Sequence, residues 1–95
     1  MSQIGSILDE VYDVILDRQE NPKEGSYTNY LLSKGLDKIC KKIGEEAAEV
    51  IIAAKNRNSD EVTYEAADLL YHLCVLLVEQ EVTLEEVEKE LRKRR

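Results

Sequence analysis

Apolar residues recur at helical spacing over four stretches of the chain, and each stretch predicts an α-helix. In the first, Ile4, Ile7, Leu8, Val11, Val14 and Ile15 form one stripe, and Asn21-Pro22 marks its end. The polar stretch PKEGSYTNYLLSKG that follows reads as a loop, turning helical toward Leu31. A second helix is predicted from about Leu36 to Asn56, with Leu36, Ile39, Cys40, Ile43, Ala47, Val50, Ile51 and Ala54 as its core stripe. The segment NRNSD breaks it, and Ser59 or Asp60 is placed to cap a third helix running to about Gln80. That helix is apolar almost all round between Leu69 and Val78, the pattern of a central helix or of one buried between subunits. A fourth begins at Thr83, where T-L-E-E forms a capping box with Glu86. Its early glutamates and late RKRR suit the helix dipole.

The composition agrees with an all-α, four-helix bundle-like fold over residues 1–95, read as a single domain. Four Gly and one Pro are too few for a turn-rich β fold, and with no Trp or Phe the core must come from Leu, Ile, Val, Ala and Tyr. A net charge of −7 argues against a nucleic-acid binder, which would present a basic face. Cys40 and Cys74 fit no zinc pattern and read as buried thiols of a reducing compartment. The start MSQIGSILDE lacks the features of a signal peptide, and the run from Leu69 to Val78 is too short to span a bilayer. The expectation is a cytoplasmic protein with no membrane and no nucleic-acid partner.

Two acidic steps change this picture from a fold to a site. Glu46 and Glu49 in KKIGEEAAEV, and Glu65 and Asp68 in YEAADLLYHL, are each three apart, so each pair stacks one turn above the other. Both pairs adjoin core positions and are separated by alanines small enough to admit a ligand. In an antiparallel hairpin the pairs would face each other, and four converging carboxylates repel unless cations sit between them. Hard oxygen donors favour Mg²⁺ or Mn²⁺ over zinc, and Mg²⁺ commonly shares its shell with substrate phosphates. The competing reading is a set of solvated surface acids.

The motif E-E-x-x-E followed by E-x-x-D in the next helix resembles the MazG-like all-α nucleotide pyrophosphohydrolases. Within them, SYTNYLLSKGLDKICKKIGEEAAEVIIAAKN and YEAADLLYHLCVLL are similar to the phosphoribosyl-ATP pyrophosphohydrolases, over roughly Ser26 to Leu77. The resemblance implies hydrolysis of phosphoribosyl-ATP to phosphoribosyl-AMP and pyrophosphate, the second step of histidine biosynthesis. It implies Mg²⁺ held by Glu46, Glu49, Glu65 and Asp68, with Glu45 as a spare carboxylate for a base or outer-shell role. Lys41, Lys42 and Lys55 are candidates to meet phosphates, and Lys34 and Lys38 weaker ones; helix lysines also serve solubility alone. Tyr27, Thr28 and Tyr30 offer hydroxyls for phosphate or ribose and rings for adenine, or else pack over a core edge. His72, within LLYHLCVLL, reads as a hydrogen-bonded core or interface residue.

Two alternatives stand beside this. One is a house-cleaning nucleoside triphosphate pyrophosphohydrolase with the same metal site and another base pocket. The other is a non-catalytic helical interaction module. Under any of them, one chain cannot easily cover every side of Leu69–Val78, so a homodimer or higher oligomer is expected, with the second and third helices of both subunits in a mixed bundle.

Overall fold

The computed structural model describes residues 1–95 and is entirely helical. Five helices follow in order: α1 (Ile4–Glu20), α2 (Tyr27–Lys34), α3 (Leu36–Lys55), α4 (Ser59–Glu79) and α5 (Leu84–Lys93). The four expected helices fall within a residue or so of the limits read for them, and the α5 capping box is formed as read. Thr83 Oγ1 accepts from the Glu86 N–H at 3.1 Å, and the Glu86 carboxylate accepts from the Thr83 N–H at 3.0 Å.

Within the segment read as a loop turning helical toward Leu31, Tyr27–Lys34 is already helix. Its start is fixed by Ser26, whose hydroxyl accepts from the Asn29 N–H at 3.2 Å. Asn29 in turn ties α2 back to α1: its side-chain oxygen accepts from the Lys23 N–H at 2.8 Å, and its amide donates to the Arg18 carbonyl at 2.7 Å. Gly35, at φ +92°, then ends α2 and starts α3 without a linker, a conformation that only glycine adopts freely. Leu31 is fully buried on the inner side of α2. Two turns of helix with a polar outer face offer too few apolar repeats to be seen as periodicity.

The core joins Tyr12 and Ile15 of α1, Leu31 of α2, Ile39 of α3, and Cys74, Val75 and Val78 of α4. α4 is the central element, touching α1, α2 and α3, and it packs most extensively against α3 as an antiparallel hairpin. The hairpin turns through Arg57, whose φ of +54° is left-handed. The cap of α4 is Asn58, neither Ser59 nor Asp60; its side chain accepts from the Glu61 N–H at 3.1 Å. Tyr12 locks α1 to the α4–α5 connection by donating to the Val82 carbonyl at 2.8 Å.

The stripe of α3 is narrower than its periodicity suggested. Its buried residues are Ile39, Glu46 and Ala53, two turns apart, while Leu36, Cys40, Ile51 and Ala54 are exposed. Cys40 is therefore an exposed thiol, and only Cys74 is buried. The cause is geometric: α3 has one main partner, and a single line of contact covers a narrow arc. On α1, Ile4, Ile7 and Val14 are likewise exposed, while Leu8, Val11 and Leu16 pack against the core. No residue of α5 is buried, and this helix bounds a groove of about 950 Å³ against α1. No helix is long and apolar enough to cross a membrane.

Candidate active site

The middle position of the α3 stripe is occupied by a carboxylate. Glu46 is only 4% exposed, where the period of the helix demands an apolar side chain. One turn on, Glu49 lies at the surface, and across the hairpin Glu65 and Asp68 are partly buried on α4. One oxygen from each of the four carboxylates lies within 4.8 Å of the others. The hairpin has thus brought both acidic steps together.

A cluster of this kind is electrostatically unsatisfied by itself. Glu46 Oε2 and Glu65 Oε2 are buried and have no hydrogen-bond partner. Proton sharing with Glu65, burial and the nearby Glu46 charge push Glu49 up to about 7. Burial, then Glu46, raise the Asp68 carboxyl above its usual range. Glu46 goes the other way: burial opposes its charge, but hydrogen bonds from Asp68, Lys42 and Glu49 outweigh this and hold it low. Its one cationic neighbour is Lys42, with Nζ 3.3 Å from Glu46 Oε1 and 3.6 Å from Glu45. A single ammonium cannot balance four carboxylates. Two buried, unpartnered oxygens in an all-oxygen donor set fit a hard divalent cation.

Side chains of α2 and α4 back the carboxylates. Tyr27 places its hydroxyl 3.0 Å from His72 Nε2, and His72 Nδ1 lies 2.8 Å from the Asp68 carbonyl oxygen. His72 also belongs to a compact group with Glu46 and Asp68. Both of its ring nitrogens are engaged, so it supports Asp68 and is not free to bind a metal. Thr28 is buried and hydrogen-bonded to the Tyr71 hydroxyl. Tyr71 is a member of the site that the sequence did not mark. The available signal was its position three residues after Asp68, one turn along the same face.

Other candidates lie apart from the cluster. The Glu45 side chain is 48% exposed, and its only ionic contact is Lys42. Lys41 and Lys55 are exposed. Lys34 and Lys38 hold their ammonium groups 5.8 and 5.9 Å from the centre of the exposed Tyr30 ring. That ring is stacked on Tyr27 at 6.1 Å. What the arrangement can do is hold divalent cations in a carboxylate cradle with a lysine and a tyrosine hydroxyl at its rim.

Comparison with known proteins points the same way. The profile of the phosphoribosyl-ATP pyrophosphohydrolase family matches residues 8–95. The chain is 60% identical over 89 residues to the phosphoribosyl-ATP pyrophosphatase of Clostridium novyi, covering 94% of this chain and 81% of the relative. It is 59% identical over 87 residues to the enzyme of the same name from Lactiplantibacillus plantarum, covering 92% and 82%. A histidine biosynthesis bifunctional protein from Thermoanaerobacter pseudethanolicus is 66% identical over 84 residues. That match takes in 88% of this chain, which spans 39% of the bifunctional protein's length.

Proposed function

The chain belongs to the phosphoribosyl-ATP pyrophosphohydrolase family, and on that premise we propose that it hydrolyses phosphoribosyl-ATP to phosphoribosyl-AMP and pyrophosphate, the second step of histidine biosynthesis, with residues 1–95 acting as one catalytic domain. The observation that carries the reading is the pair of buried, unpartnered oxygens, Glu46 Oε2 and Glu65 Oε2, inside a four-carboxylate cluster. Glu46, Glu49, Glu65 and Asp68 would hold Mg²⁺ or Mn²⁺. A divalent cation there supplies charge neutralisation for the triphosphate and for the departing pyrophosphate, and acidifies an attacking water.

The chain's own residues do the positioning. Glu46, fixed in the core, sets the depth of the site, while the exposed Glu49 leaves its outer side open to substrate. Lys42 would meet a phosphate oxygen, a role supported by its ion pairs with Glu46 and Glu45 at the cluster. Lys41 and Lys55 are exposed and have no such ion pair with the cluster. Glu45 serves as a tether for Lys42. Tyr27 lines the rim, and Thr28 fixes α2 to α4 through Tyr71.

The protein is further read as a cytoplasmic homodimer or larger homo-oligomer. Leu69, Leu70, Leu73, Leu76 and Leu77 of α4 remain only half-buried in one chain. Ile51, Ile52 and Tyr64 on the same hairpin are exposed. A second copy laid along α3 and α4 would cover both sets. Light scattering at micromolar concentration is expected to give at least twice the 10.9 kDa chain mass. A stable, active monomer would overturn that reading.

The functional test is pyrophosphate release from phosphoribosyl-ATP, with Mg²⁺ and with chelator. Metal-dependent release is expected. A strong preference for deoxynucleoside triphosphates over phosphoribosyl-ATP would refute the substrate.

A further inference from the structure

Tyr27 and His72 meet where α2 lies on α4, and the polarity of their contact is fixed by what surrounds the imidazole. His72 Nδ1 faces the Asp68 carbonyl oxygen at 2.8 Å and the Asp68 carboxylate Oδ1 at 3.4 Å. Both are acceptors, so Nδ1 carries the ring proton. In the neutral imidazole Nε2 then presents a lone pair, and the Tyr27 hydroxyl, 3.0 Å away, donates to it. A phenol has one proton to give. With that proton committed to His72, Tyr27 faces the carboxylate cluster with lone pairs only.

The geometry leaves little freedom to change this. His72 is 2% exposed, and its ring meets Tyr27 and Tyr71 edge-on, with centroids 5.8 and 5.1 Å away. The bridge from Thr28 to Tyr71 holds α2 in register one residue further on. The Tyr27 side chain itself is exposed enough to touch a ligand. A phosphate oxygen is also an acceptor, and it would repel an oxygen that offers lone pairs. The donor groups nearest the triphosphate of a nucleotide are its ribose hydroxyls.

We propose that His72 is a positioning residue that fixes the Tyr27 hydroxyl as a hydrogen-bond acceptor at the rim of the carboxylate cluster, where it receives a ribose hydroxyl of the nucleotide and does not bind a phosphate oxygen. This rests on the reading of the cluster as a phosphoribosyl-ATP site.

The test uses the intact protein with saturating Mg²⁺, and wild-type pyrophosphate release from phosphoribosyl-ATP is its control. Failure of that control refutes the functional reading; the remaining outcomes judge the inference. Tyr27→Phe is expected to raise KM about tenfold, the upper range for one hydrogen bond between uncharged groups, with kcat within about twofold. Inhibition by inorganic tripolyphosphate, which has no ribose, is expected to be unchanged in this variant. Inhibition by ATP should weaken by the same factor as KM, but inhibition by 2′-deoxy-ATP or 3′-deoxy-ATP, whichever lacks the bonded hydroxyl, should not weaken. His72→Asn keeps a donor near the Nδ1 position and loses the Nε2 acceptor, so it should match Tyr27→Phe, and the double variant should be no worse than either. His72→Gln, whose amide oxygen reaches the Nε2 position, should recover most of the lost KM. The inference is overturned if Tyr27→Phe leaves KM unchanged, weakens tripolyphosphate as much as substrate, or weakens both deoxynucleotides equally. It is overturned too if the two single effects add. Should His72→Asn not fold, the Tyr27→Phe comparisons decide alone.

Discussion

Removing the charge of Glu46 isolates what the cluster costs the fold and what a cation returns. Glu46 is 4% exposed, and its Oε2, like Glu65 Oε2, is buried without a partner. Each unsatisfied buried acceptor costs about 1–3 kcal/mol, so the metal-free protein carries a strain that is a large part of a marginal stability. A ligand that binds only the folded state at a hundred times its Kd adds about 2.7 kcal/mol. For a domain of this size each kcal/mol moves Tm by about 4–8 °C, so saturating Mg²⁺ should raise the wild-type Tm by roughly 10–20 °C. Glu46→Gln keeps the shape and removes one of the four charges that repel each other. Because the fold holds Glu46 in its charged form beside Lys42, the Tm of the variant in chelator should fall somewhat below that of wild type, and its response to Mg²⁺ should collapse to a few degrees. The assay is thermal unfolding followed by circular dichroism, at one fixed protein concentration because assembly also shifts Tm. A wild-type Tm indifferent to Mg²⁺, or an equal shift in the variant, would refute the reasoning.

The other predictions concern neighbouring groups. Glu49→Gln and Asp68→Asn should each lower kcat by ~10²-fold or more while far-UV circular dichroism stays unchanged, since each removes a ligand charge at nearly constant shape; near-wild-type turnover in both would show that these carboxylates are not ligands. Glu45→Gln should change kcat/KM by less than about threefold, because its side chain meets only Lys42 and exposed ion pairs contribute little. The pH dependence of metal-free stability follows from the raised groups, Glu49 at about 7 and Asp68 above its usual range. Between the ordinary carboxylate range and about 7 the folded chain binds more protons than the unfolded one, so stability is greatest at the acid end and falls as pH rises through 7. Urea unfolding in chelator at pH 5.5 and pH 8 should show that fall, Mg²⁺ should abolish it, and a rise over the same interval would contradict the cluster's electrostatics.

Much of this was legible in the sequence, and the limits have physical causes. Long helices announced themselves because their apolar stripes repeat over several turns, and the T-L-E-E box of α5 is a local signal that needs no tertiary context. The four clustered carboxylates were legible because a hairpin of two long helices leaves little choice of register. α2 was not, since Ser26, Asn29 and Gly35 define it through a cap, an anchor to Arg18 and a left-handed turn. The exposure of Cys40, Ile51 and Ala54 was hidden for a different reason. Periodicity reports where apolar residues lie on a helix, not how wide an arc its partner covers. Tyr71 carried only the weak signal of lying one turn after Asp68, and its tie to Thr28 on another helix appears only in the fold.

Glu46 shows what the site costs the core. Ile39 and Ala53, two turns before and after it, are buried against the hairpin as ordinary core residues. A fold selected for stability alone would place an apolar side chain between them, and packing there would need no buried carboxylate. The carboxylate instead occupies a core position, and Glu65 adds a second buried oxygen from the facing helix. Local rules are broken where function requires it, and here the break shows only in the fold, because the stripe read from the sequence ran beside Glu46 through Ile43, Ala47 and Val50. The same rigidity is useful to the chemistry. Ligands carried on two packed helices are held by the core itself, so the cradle keeps its spacing before any cation or substrate arrives.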